Sequence, residues 1–367
     1  MRRPADSRSV RRSIERAVDG SPLHLDEIET LLELDDAADA AYLFEAAQTV
    51  RQRWFGRTIF LYGFVYFSTY CRNHCTFCFY REGNRESPRY RKTEDEVVRA
   101  ARDLAESGVH LVDLTMGEDP EIHDEEQFER LIGLVRRVRR EVDVPVMVSP
   151  GVVGRDVLRD LRDAGADWYA CYQETHDRAL YRRLRPGQDY DRRQASRSEA
   201  LALGLHAEDG ILLGVGESAR QRARSLMTMR AQGVQQVRVM GFVPQKGTPL
   251  ADLPQPSLLA EMVTLATMRL VMPDRLIPAS LDIDGLRGLE ARLRAGANVV
   301  TSIIPPDSGL AGVSQSTLDI DQGYRTVAGV ERHLAPLGLK TAGRAEFRAW
   351  LAGADPRHLA RRANDRG

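Results

Sequence analysis

Apolar residues along this chain recur in two alternating rhythms. From residue 59 onward, short runs of β-branched and aromatic side chains are separated by charged stretches whose apolar positions repeat with a helical period. The runs fall at 59–66, 110–115, 144–149, 167–172, 210–215, 236–242, 276–281 and 297–304. Between them lie amphipathic segments such as 94–107, 126–141 and 157–164. Several close on a glycine just before the next run, at Gly108, Gly165, Gly233 and Gly296, as helices commonly end. Eight strand–helix units predict an α/β chain whose parallel sheet closes into a (β/α)8 TIM barrel. An open doubly wound sheet is the competing arrangement, but no Gly-x-Gly-x-x-Gly follows the first run. A helical segment is expected over about 8–54, a helix at 321–334 and a short helical tail after it. The expected division is an N-terminal helical segment at 1–56, the barrel at 57–315 and a C-terminal helical extension at 316–367.

The chain's 367 residues leave room for one barrel of about 250 residues with helices at both ends. Basic and acidic residues nearly cancel, 52 against 53, so nothing in the charge balance draws the chain to nucleic acid or to an anionic membrane. Only Lys92, Lys246 and Lys340 are lysines, and the acids offset the arginine excess residue for residue. No apolar stretch approaches the roughly 20 residues of a membrane span, and no apolar segment follows Met1 to act as a signal peptide. These features lead us to expect a soluble protein of the reducing cytoplasm.

A barrel places its chemistry where strands end and loops begin. The first run leads directly into Cys71-Arg72-Asn73-His74-Cys75-Thr76-Phe77-Cys78, a Cys-x3-Cys-x2-Cys loop in a chain with four cysteines. Three thiolates hold three corners of a cubane iron–sulfur cluster and leave one iron open to a ligand. A structural zinc site needs four ligands, and beyond His74 no second Cys/His cluster is in sight. A disulfide framework does not suit a long chain without a leader, and buried structural cysteines rarely come three to a polar loop. Cys171 lies in an apolar run and reads as a small core residue.

The other strand ends add polar groups. Asp113 alternates inward and needs a partner, either a cationic ligand or a core arginine. Met116-Gly117-Glu118 places a carboxylate on a turn close to any ligand. The third run ends at Ser149 and the fourth leads to Glu174, with Arg185 among the arginines beyond, on a helix face or on a carboxylate. Gly214 and Gly216 mark the end of the fifth run. Arg238, Ser280 and Asp282 form either a grip for an amino-acid head group or a core salt bridge between Arg238 and Asp282. No general base of unusual pKa stands out.

These residues resemble the radical S-adenosylmethionine enzymes, in the subgroup that contains biotin synthase. The resemblance rests on the cysteine spacing with its internal aromatic, on Met116-Gly117-Glu118 and on the glycine-rich fifth run. Longer motifs are similar to the branch that rearranges L-lysine into 3-methylornithine, the first step of pyrrolysine biosynthesis. They are Tyr66-Phe67-Ser68-Thr69-Tyr70-Cys71, Val112-Asp113-Leu114-Thr115-Met116-Gly117-Glu118-Asp119-Pro120, Tyr172-Gln173-Glu174-Thr175, Ile277-Pro278-Ala279-Ser280-Leu281-Asp282 and Ile304-Pro305-Pro306-Asp307-Ser308. The resemblance implies a 4Fe–4S cluster on Cys71, Cys75 and Cys78, S-adenosylmethionine at the open iron and a 5′-deoxyadenosyl radical that abstracts a side-chain hydrogen before fragmentation and recombination. It implies Phe77, Glu118, Ser149, Glu174, Arg185, Gly214 and Gly216 around the cosubstrate. It also implies Asp113 on the distal amine of the substrate, with Arg238, Ser280 and Asp282 on its head group. An electron donor such as flavodoxin or ferredoxin is implied as partner. Tyr62, Gly63 and Gly241 depart from the pattern, so an enzyme of the same subgroup with a different pocket and another small substrate is the alternative.

Overall fold

The computed structural model describes residues 7–123, 128–305, 310 and 324–353. Three helices come first: α1 (Ser7–Val18), α2 (Leu25–Leu32) and α3 (Ala37–Phe55). Asp36 caps α3 by accepting from the Ala38 and Asp39 amides. Eight strands and their helices then alternate: β1 (Thr58–Ser68), α4 (Glu94–Ser107), β2 (Leu111–Met116), α5 (Phe128–Glu141), β3 (Val146–Ser149), α6 (Arg155–Asp163) and β4 (Trp168–Ala170). They continue with α7 (Arg178–Leu184), α8 (Tyr190–Ala202), β5 (His206–Leu213), α9 (Ala219–Gln232), β6 (Gln236–Gly241), α10 (Leu258–Val271), β7 (Pro278–Ser280), α11 (Leu289–Arg294) and β8 (Val299–Ile303). Last come α12 (Val327–Leu334), β9 (Lys340–Thr341) and α13 (Arg344–Gly353).

All pairings among the first eight strands are parallel, in the order β6-β5-β4-β3-β2-β1-β8-β7. A parallel bridge between Gln236 and Leu276 joins β6 to β7 and closes the ring. The barrel is as expected, and the four glycines named as helix ends all have positive φ, from 76° to 108°. The helical coat hides the barrel's outer face: α3 packs on α10 and α2 on α9. Among the described residues no helix is long and apolar enough to cross a membrane.

Several boundaries moved. The fifth strand runs Ala207-Glu208-Asp209 before its glycine, four residues ahead of the expected start. Charged residues there masked the strand, and each is paired inside the protein, Glu208 with Arg238 and Asp209 with Arg197. The arginines after the fourth strand form α7, and α8 follows it. At the far end, β9 pairs with β1 at Thr58 and Ile59. Below it α13 plugs the barrel floor, with Phe347 4.9 Å from Phe60 and Trp350 6.3 Å from Trp168 between ring centres. The expected boundary at 315/316, the start of the helix at 321 and residues 306–308 of the last motif lie outside the described residues.

Candidate active site

A cavity opens at the barrel mouth, at the carboxyl ends of the strands, where this fold builds its sites. All three loop cysteines line it, and Cys171, which packs in the core as expected, also borders it. The loop is tied on three sides: Arg72 N bonds Glu118 O (3.0 Å), Thr76 N bonds Leu184 O (2.9 Å) and Leu250 N bonds Thr76 O (3.2 Å). Burial first, then the neighbouring thiols, push Cys71 up to about 11 and Cys78 further above its ordinary range. Cys75 Sγ accepts from Gln188 Nε2 at 3.0 Å and Arg185 Nη1 at 3.3 Å.

This donor set fits an iron–sulfur cluster. Among the described residues, no three His, Cys, Asp or Glu side chains converge to hold a single metal ion. His74, the nearest fourth ligand for zinc, does not line the cavity and sits exposed beside Glu82 at 3.2 Å. Three sulfurs spread around one cavity suit a group with separate iron corners.

The turn after β2 is built to press against this loop. Asp119 takes Arg91 through both oxygens (2.7 and 2.9 Å) and accepts from Ser68 Oγ (2.5 Å), locking the turn. A Cβ on Gly117 would meet Tyr70 O at 2.3 Å and Cys71 Cβ at 2.9 Å. Gly117→Ala is therefore expected to displace the cysteine loop and lower the iron retained per chain after anaerobic reconstitution, read by iron analysis; full occupancy would contradict that contact. Burial works against charge on Glu118, but Arg193, His123 and the Val152 amide outweigh it and hold its carboxyl below its ordinary value. Arg193 Nη2 is 3.0 Å from Glu118 Oε1. Across the cavity, Glu174 has φ of 67° and pairs with Arg185 at 2.7 Å, and Phe77 lies 5.2 Å from the same guanidinium.

Deeper in, Asp113 accepts from Ser149 Oγ at 2.8 and 3.1 Å. Burial pushes its carboxyl up to about 7, with Ser149 opposing and nearby Glu208 adding. An acid of unusual pKa is present after all, and no spacing in the sequence reveals it. Arg238 Nε meets Glu208 Oε1 at 2.7 Å and its Nη1 meets Thr301 at 3.1 Å, while Nη2 is buried with no partner. Asp282 accepts from Tyr66 at 2.6 Å and from Arg325 at 3.0 Å. The salt bridge considered between Arg238 and Asp282 does not form, because each has a nearer partner of opposite charge.

Three expected site residues stand apart. Ser280 does not line the cavity; its Oγ accepts from the Asp282 amide at 3.3 Å. Gly214 and Gly216 do not line it either, and the Gly214 and Val215 amides bond Glu217 instead. Ile211 and Leu212 are the β5 residues that reach the cavity beside Gly210. Sequence reasoning missed Gln188, Arg193, Glu208, Tyr66 and Arg325. For Glu208 alternation with Gly210 was a usable signal; for the arginines there was none.

A model of the Radical SAM superfamily matches residues 65–228. Over 337 residues the chain is 43% identical to a 3-methylornithine synthase of Methanosarcina barkeri, covering 92% of this chain and 95% of that protein. The chain belongs to the radical SAM superfamily. This radical SAM enzyme is also 31% identical to biotin synthase of Geobacter sulfurreducens over 265 residues, 71% of this chain and 80% of that protein. Its fold matches a crystal structure of methylornithine synthase with a TM-score of 0.87 at 42% identity, over 92% of this chain and 99% of that one. Radical SAM membership brings a 4Fe–4S cluster and S-adenosylmethionine as cofactors, and the thiol-lined mouth fits that set.

Proposed function

We propose that this enzyme is a mutase that converts L-lysine to 3-methylornithine, which would place it at the first step of pyrrolysine biosynthesis. The observation that carries the reading is one carboxylate. Glu118, Glu174 and Asp282, which line the cavity, each have an arginine partner. Asp113 accepts from the Ser149 hydroxyl and makes no ion pair among the described residues; Arg238, already paired with Glu208, only tempers its charge from a distance. A substrate with one extra positive charge answers that imbalance, and L-lysine has it. The similarity to 3-methylornithine synthases over nearly the whole chain supports the same substrate.

In this reading Cys71, Cys75 and Cys78 hold the cluster, and Glu118, Glu174, Arg185, Ser149 and Phe77 surround the cosubstrate. Together the two groups supply a 5′-deoxyadenosyl radical when bound. Asp113 takes the distal ammonium, Arg238 the carboxylate through its free Nη2, and Asp282 the α-ammonium, with Ser280 fixing the Asp282 backbone. Clamps at both ends keep the pieces of a fragmenting substrate in register. The buried aromatic rings of Phe64 and Tyr66 keep water from the walls of the cavity. An electron enters from a donor such as flavodoxin or ferredoxin.

The altered positions do not favour another substrate. A Cβ on Gly63 would point at Leu104 of α4, and one on Gly241 at Glu261 of α10, so a side chain at either would turn into the helical coat, although the Gly241 backbone borders the cavity. Tyr62 lies below the cavity, 5.6 Å from Phe347. Anaerobic incubation with reductant, S-adenosylmethionine and L-lysine is expected to yield 5′-deoxyadenosine and 3-methylornithine. Deoxyadenosine without methylornithine would reject the substrate and keep the radical chemistry.

A further inference from the structure

Cys75 differs from its two partners in what reaches its sulfur. Two side-chain N–H groups point at it, Gln188 Nε2 at 3.0 Å and Arg185 Nη1 at 3.3 Å. Both come from one turn between α7 and α8. There Arg185 caps the end of α7, Gly187 adopts φ of 78°, and Gln188 N bonds back to Arg185 O at 3.2 Å. The bond from Thr76 N to Leu184 O fastens the same turn to the cysteine loop, so donors and thiol share one scaffold. Arg185 is also engaged by Glu174. Gln188 is held differently: its amide oxygen accepts from Arg193 Nη2 at 2.8 Å. A guanidinium only donates, so the amide oxygen must face Arg193 and the amide nitrogen must face the sulfur.

We propose that Gln188 is a positioning residue for the cluster, raising its reduction potential through an N–H bond to Cys75 that Arg193 keeps correctly oriented. Reduction adds negative charge that spreads onto the ligand sulfurs. A donor aimed at one of them stabilises the reduced state more than the oxidised one. The consequence is a cluster that a weaker one-electron donor reduces. The inference rests on the cluster and not on the identity of the substrate.

The test is a redox titration of anaerobically reconstituted protein followed by electron paramagnetic resonance, with no lysine present. Gln188→Leu removes the donor and is expected to shift the midpoint to more negative potential at unchanged iron and sulfide content. Gln188→Glu is nearly isosteric and puts a carboxylate beside the sulfur, so its midpoint is expected to lie lower still. Should the leucine variant not hold iron, Gln188→Asn withdraws the amide by one methylene and is expected to fall part of the way. Midpoints equal to wild type, or higher, in the variants that retain the cluster would overturn the proposal. Because no substrate is present, that failure is separate from any failure to turn over lysine.

Discussion

Cys75→Ala is expected to abolish cleavage of S-adenosylmethionine and to leave the protein without a stable cluster. The loop offers three thiols to one cavity, and among the described residues there is no other cluster of ligands to compensate. With two thiolates, a second iron corner loses its protein ligand, and the cluster loses both affinity and the geometry that leaves one iron free for the cosubstrate. Iron, acid-labile sulfide and 5′-deoxyadenosine are the measurements, and all three are expected near background. Cys171→Ser is the matched control. Cys171 borders the same cavity, but its thiol is buried and held by Arg193 at 3.1 Å, away from the cysteine loop, and its loss should leave iron intact. Full iron in Cys75→Ala would assign the cluster elsewhere in the chain.

How much of this was legible in the sequence follows from what each signal reports. Strand–helix alternation reports burial, so the barrel and its helix-ending glycines were readable. The cysteine loop is a local chemical pattern and needs no tertiary information. The start of β5 was read late, because apart from the alternation of Glu208 with Gly210 the two acids look like loop residues until Arg238 on the neighbouring strand β6 and Arg197 on α8 pair with them. Arg193 is 75 residues from Glu118 in sequence and 3.0 Å from it in space, a pairing that no periodicity carries. The same holds for Arg325 on Asp282. Ser149 was read as a cosubstrate contact on family resemblance, while its nearest polar neighbour is the Asp113 carboxylate.

Those unseen pairings decide the electrostatics of the site. Once Arg238 is matched by Glu208 and Asp282 by Arg325, both are neutral as pairs, and in the proposed reading they would accept a zwitterionic head group without leaving net charge behind. Of the described carboxylates that line the cavity, Asp113 is left without an ion pair, and Arg238 acts on it only from a distance. A buried acid without a counter-ion resists ionisation, and this is why its carboxyl is pushed up to about 7. On the proposed function, an ammonium would complete the site, an arrangement that costs stability and gains selectivity.

Asp113→Asn is expected to lose lysine turnover while keeping full iron. Removing one partner of a buried charge pair costs about 2–5 kcal/mol, or roughly 30-fold to several thousand-fold in affinity. The pH dependence gives a sharper signature. Below pH 7 the empty site holds Asp113 protonated, so binding an ammonium must expel that proton, and wild-type affinity for L-lysine should fall about tenfold per pH unit. Above pH 7 it should level off until the amine itself titrates near ~10. In Asp113→Asn the slope should vanish. Stability moves the other way: a carboxyl whose folded pKa is raised from 3.8 to about 7 contributes stability at low pH that is lost as pH rises through 7. Without substrate, Asp113→Asn should therefore melt above wild type at pH 8. Lysine affinity measured against pH, with iron content and melting temperature on the same preparations, tests all three at once. An unchanged slope in the variant would remove Asp113 from the distal amine, and a loss of iron would move its role to the cluster.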